Sequence, residues 1–120
     1  WMMLIDQALA PDTHPRDFAS GNGWVVRAFQ GALAAVAGAT SLVDAIERAV
    51  RGGHDADTVA AIAGALAGSL WGGTGVPLAW KRMLHGWPGV DANELVRLAV
   101  LAARHGDSAF ARPSRYRCTA

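Results

Sequence analysis

The stretch Gly52-Gly53-His54-Asp55-Ala56-Asp57-Thr58-Val59-Ala60-Ala61-Ile62-Ala63-Gly64 decides the architecture. Two glycines close one helical pattern, two carboxylates and a hydroxyl stand within four positions, and an uncharged run follows. From Asp55 to about Trp71 the sequence predicts a helix. Ala60, Ala61, Ala63, Ala65 and Ala67 fill the spaces between Val59, Ile62, Leu66 and Leu70. A helix without a polar face is expected to be buried on most sides.

The start of that helix has two readings. Asp is among the best N-cap residues, and acids in a first turn gain roughly 0.3–1 kcal/mol each from the helix dipole. Alternatively the oxygens form part of a cation site, because Mg²⁺ takes one or two carboxylates plus waters and substrate oxygens. Asp55 and Thr58, three apart, share a helical face. Asp57 joins them only where the segment unwinds into Gly52-Gly53. The positive end of the helix dipole works against a cation there. The residues alone leave both readings open.

Outward from this stretch the periodicity stays helical. Met2–Leu9 predicts a short helix, and Ala10 to Asn22 reads as loop, with Pro11, Asp12, Pro15, Ser20 and Gly21 as breakers. Trp24 to about Gly38 predicts an apolar helix. Ser41 to Arg51 is amphipathic, with Ser41 as N-cap, Asp44 in the first turn, and Leu42, Ala45, Ile46, Ala49 and Val50 on the core face. Pro77 opens a short helix to His85, and Gly86-Trp87-Pro88-Gly89 is a turn. Asp91 with Glu94 approximates a capping box for a last helix to about Arg104. No strand or repeat is apparent, and the class is all-α. Residues 1–106 are expected to form a helical domain and 107–120 a disordered tail.

Bulk properties narrow the function. Apolar residues make up 52 % of the chain and charged residues 18 %, greasier than a usual soluble domain. With 11 basic and 10 acidic side chains the net charge is +1, which gives no footprint for nucleic acid. The single Cys118 cannot form an internal disulfide and suits a reducing cytoplasm. Val59 to Trp80 holds no charge, but Gly72, Gly73, Gly75 and Pro77 divide it, so no membrane span is expected. Trp71, Trp80 and Trp87 read as packing or turn anchors, and His85 as a helix-end cation or hydrogen-bonder. Ser41 and Ser69 lack the surroundings of a nucleophile, and Arg112, Arg115 and Arg117 read as solvated.

The run Gly53-His54-Asp55-Ala56-Asp57-Thr58 and its Ala/Gly helix to Gly68 resembles the C-terminal signature of the ADP-ribosylglycohydrolases. That signature is Gly, a small or polar residue, Asp-Thr-Asp-Thr, then an Ala/Gly-rich helix. Trp71-Gly72, Val76-Pro77, Trp80 and His85-Gly86-Trp87-Pro88-Gly89 extend the resemblance downstream. Upstream, Gly23-Trp24-Val25-Val26 is similar to the family's Gly-Tyr-Val-Val segment. The resemblance implies the C-terminal part of a compact orthogonal helical bundle that binds two Mg²⁺ ions. In the intact family these proteins hydrolyse the glycosidic bond between ADP-ribose and an acceptor.

On that basis Asp55, Asp57 and Thr58 fall on metal-ligand positions and Gly23 and Trp24 on substrate-binding ones, Trp24 at an aromatic position that lines the ADP-ribose cleft. The implied partner is an ADP-ribosylated protein or small ADP-ribosyl compound. Ala56 departs from the commoner Thr outside the ligand set; His54 sits at a variable loop position. Trp24 keeps a flat surface in place of Tyr but offers an indole N–H. The family's N-terminal half carries a Thr-Asp-Asp motif with the remaining ligands, and no Asp-Asp pair occurs in these 120 residues. The chain is therefore expected to be inactive or nearly so alone, with self-association or a complementary N-terminal chain as the partners this leaves open. The alternative is a non-enzymatic helical module docking a partner, or itself, through apolar surface.

Overall fold

The computed structural model describes residues 1–104. The expected tail at 107–120 lies outside them. Six α-helices are present among the described residues, and the all-α class holds. The described residues divide into two compact units, Trp1–Val76 and the part from Pro77 onward.

In the first unit, α1 spans Met2–Ala8, α2 Val25–Ala37, α3 Leu42–Gly52 and α4 Ala56–Trp71. Helix α4 packs most extensively on α3 and then on α2. The seam is built from small side chains: Ala28, Ala32 and Ala35 of α2, Ala49 of α3, and Val59 and Ala63 of α4. Alanines bring helix axes close, and Gly31 lies on the same seam. A Cβ at Gly31 would stand 3.4 Å from Val59 Cγ1. Leu42, Ala45 and Ala67 continue the core, with Trp71 and Val76 packed against them.

Gln30 of α2 is only 2 % exposed. Its Nε2 donates to Leu4 O and Gln7 Oε1, both at 3.0 Å, and so anchors α1. A buried amide left without such partners would destabilise the fold by about 1–3 kcal/mol.

The loop expected over residues 10–22 contains a 3-10 turn at Pro15–Phe18. His14 and Asp17 cap it reciprocally: His14 N donates to Asp17 Oδ2 at 2.9 Å, and Arg16 N to His14 Nδ1 at 3.1 Å. The same Pro and Asp that break helices also start tight turns, and Phe18 is driven inward onto Ala8 and Ala34.

Helix α4 corrects the expectation of burial on most sides. Only the line Val59, Ala63, Ala67 is buried; Ala61, Ala65 and Leu70 are exposed. An Ala-rich surface carries no polar face to mark which side meets water.

The second unit contains α5, Leu78–Met83, and α6, Ala92–Ala103. Pro77 stands at the N-cap of α5. The expected absence of strands is corrected by a small antiparallel pair, β1 His85–Gly86 and β2 Val90–Asp91, closing the Trp87-Pro88 turn. Two residues a side give no alternating pattern to read. His85 Nδ1 lies 2.9 Å from Met83 O. Asp91 Oδ1 accepts from Glu94 N at 2.9 Å, capping α6 as expected. Trp87, expected as a packing or turn anchor, is 89 % exposed and anchors nothing by packing. No helix among the described residues is long and apolar enough to cross a membrane.

Candidate metal and ligand site at the start of helix α4

Helix α3 stops at Gly52, and the chain reverses through two residues with positive φ. Gly53 has φ 84° and ψ −173°, a region open only to glycine, and His54 has φ 56°. This is the unwound entry that the paired glycines permit, and it places His54 in the loop as expected. Asp55 then occupies the N-cap of α4 with φ −77° and ψ 54°.

Asp55 holds the N-cap position, yet its side chain makes no cap hydrogen bond. It stands near enough to the Asp57 carboxyl to contribute to lowering that group's pKa. Asp57 is held below the ordinary carboxylate value of 3.8, chiefly by the Thr58 backbone N–H, then by the Asp55 side chain and its own N–H. Burial, which would raise it, is negligible at this exposed position. Asp57 and Thr58 are exposed and Asp55 is half-buried.

The backbone of this turn is fixed from a distance. Asn22, 4 % exposed, lies at the end of the loop before α2. Its Oδ1 accepts from Asp55 N at 3.0 Å, and its Nδ2 donates to Gly53 O at 3.0 Å. Gly23 and Trp24 follow immediately in the chain. Trp24 is the N-cap of α2 and 61 % exposed, and a Cβ at Gly23 would meet nothing within 4 Å. An open, flat edge thus leaves the same residue whose side chain grips the Asp55 turn.

Asn22, a turn residue by its sequence, thus ties the backbone of the Asp55 turn to the segment that leads into Gly23 and Trp24. Asn-Gly before a helix reads as punctuation. Only its burial between two segments shows that both ends of its amide are in use.

The donor set can be compared with what a cation requires. Asp55, Asp57 and Thr58 offer only oxygens, which suits a hard ion such as Mg²⁺ rather than a thiolate- or imidazole-seeking metal. Among the described residues no group of three His, Cys, Asp or Glu converges. Two carboxylates and a hydroxyl fit as part of an ion's shell, with waters or further oxygens completing it.

The ADP-ribosylglycohydrolase family profile matches residues 2–110. An ADP-ribosylarginine hydrolase Tri1 from Pseudomonas putida (strain GB-1) is 45 % identical over 65 residues, and one from Serratia proteamaculans (strain 568) is 38 % identical over 65. Each match takes in 54 % of this chain and 18 % of the relative's length, so the chain spans under a fifth of these proteins. No solved structure matches.

Proposed function

The chain belongs to the ADP-ribosylglycohydrolase family, and from that premise we propose that it supplies part of a Mg²⁺-dependent site for hydrolysing the bond between ADP-ribose and an acceptor. The activity named for its relatives makes arginine the favoured acceptor. The observation that carries this reading is a helix start where the N-cap Asp55 side chain makes no cap bond and Asp57 and Thr58 stand exposed in the first turn.

Asp55, Asp57 and Thr58 would hold the ion. When bound, it would supply charge neutralisation and orientation of ribose or water oxygens near the anomeric carbon. Trp24 presents a flat, exposed indole on which an adenine or ribose face can rest, and Gly23 leaves the space beside it open. Asp57, kept ionised by the Thr58 amide, retains its charge through the ordinary carboxylate range. A shell for two ions needs more oxygens than these residues provide, so we propose that the chain alone does not turn over substrate.

Two assays test this together. Mn²⁺ titration should show weak binding that is lost in the Asp55→Ala/Asp57→Ala double variant; binding indifferent to that change would remove the metal assignment. Incubating the chain with an ADP-ribosylated arginine peptide and Mg²⁺ should release no ADP-ribose. Clear Mg²⁺-dependent release would overturn the proposed dependence on further residues.

A second reading, an interaction module, draws on the second unit. Leu95, Val96, Leu98 and Val100 of α6 are exposed, as are Leu84 and Trp87. Leu84, Trp87, Leu95 and Leu98 line one depression, and exposed apolar surface of this kind marks association sites. Sedimentation at rising concentration should show self-association; a sharp monomer throughout would dispose of the self-association reading.

A further inference from the structure

We infer that Asn22 is a positioning residue that locks the Asp55 turn to the Gly23–Trp24 edge, so that the proposed cation and ligand positions behave as one unit. The inference rests on the proposed function for the identity of the cation and ligand. The link itself stands on geometry.

In a capping box, the first free N–H of a helix is taken by a side chain three positions further on. The 3-10 turn at Pro15–Phe18 follows that plan, with Asp17 Oδ2 accepting from His14 N. At α4 the third position is Thr58, and the N-cap amide of Asp55 goes instead to Asn22 Oδ1, 33 residues away. The helix start is thereby satisfied from outside, and the Asp55 side chain makes no cap bond to its own backbone.

The other half of the Asn22 amide donates to Gly53 O. Both bonds span His54, so they clamp the two positive-φ residues that set the direction of the turn. Asn22 is itself fixed: its N–H donates to Ala19 O at 3.2 Å, and Trp24 N donates to Gly21 O at 3.0 Å. The segment that carries Trp24 is therefore the segment that fixes the backbone of the Asp55 turn. A supporting amide of this kind acts on ligand affinity without touching the ligand.

A purely structural role must be told apart from positioning, and the molecule contains its own control. Gln30 is equally buried and also makes two amide hydrogen bonds, but to α1. The experiment compares Asn22→Ala, Asn22→Asp and Gln30→Ala in the full chain by amide hydrogen exchange and by Mn²⁺-induced NMR line broadening. In Asn22→Ala the Asp55 amide should lose protection. The apparent Mn²⁺ affinity at Asp55, Asp57 and Thr58 should fall at least about tenfold, the size expected for a lost supporting contact. Asn22→Asp keeps the acceptor for Asp55 N but loses the donor to Gly53 O. It serves if the alanine variant does not fold, and should lower protection at the Gly53–Asp55 turn. Gln30→Ala should leave the Asp55 exchange rate and the Mn²⁺ response unchanged while it lowers melting temperature.

Wild-type exchange at Asp55 in both Asn22 variants would overturn the inference. So would equal loss of Mn²⁺ response in Gln30→Ala. If the wild-type chain shows no Mn²⁺ broadening at these residues, the metal assignment of the proposed function fails. Exchange at Asp55, compared between the Asn22 and Gln30 variants, still decides the link.

Discussion

Helices α3 and α4 start in opposite ways. At α3, Ser41 Oγ accepts from Asp44 N at 3.1 Å, and Asp44 Oδ2 accepts from Thr40 N at 2.9 Å. Both polar side chains are used up on the helix's own first turn. At α4 the side chain of the N-cap Asp55 makes no such bond, and its amide is held by Asn22. Asp in a first turn thus has no fixed meaning. What distinguishes a cap from a binding group is where the backbone N–H groups find their acceptors.

The contrast can be broken most forcefully at the backbone. Gly53→Ala places a side chain at φ 84°, ψ −173°, where strain alone costs about 2 kcal/mol. No neighbour lies within 4 Å of the added Cβ, so the loss measured by chemical denaturation reports conformation rather than a clash. A near-neutral result would mean that the turn relaxes, and that α4 does not depend on its bent entry.

Next in size is Ser41→Ala, which removes the α3 cap and should destabilise by about 1 kcal/mol. The matching change at α4, Asp55→Ala, should stay within about 0.5 kcal/mol, because no cap bond is lost. The pair sharpens the comparison directly. Equal losses would show that Asp55 caps α4 after all.

This difference also explains which parts of the molecule were legible. The expected Ser41–Arg51 helix is observed as Leu42–Gly52 because its caps, dipole charges and apolar face are all local in sequence. The expected helix from Asp55 to Trp71 is observed as Ala56–Trp71, yet its one-sided burial was not readable from alanines that suit core and surface alike. The 3-10 turn at Pro15–Phe18 and the two-residue strands were hidden for a related reason. Elements that short have no period. At the candidate site, Asp55, Asp57 and Thr58 stood out by spacing, and Gly23 and Trp24 by resemblance. Asn22 did not stand out, because a hydrogen bond across 33 residues leaves no local pattern.

The smallest expected effect is the pH dependence of Asp57. Its folded-state value lies below 3.8, so its contribution is fully present above that value and is lost as pH falls through the lower folded-state one. Carboxyl-carbon NMR titration should place its midpoint below 3.8. In Asp55→Ala the midpoint should move back only partway, because the Thr58 N–H is the larger cause and the Asp55 side chain the lesser. An unperturbed midpoint in the variant would assign the whole shift to Asp55 and leave the Thr58 amide unpaired with Asp57. The first turn of α4 would then hold its carboxylates only by each other, and a cation would face two like charges with nothing from the helix to keep them in place.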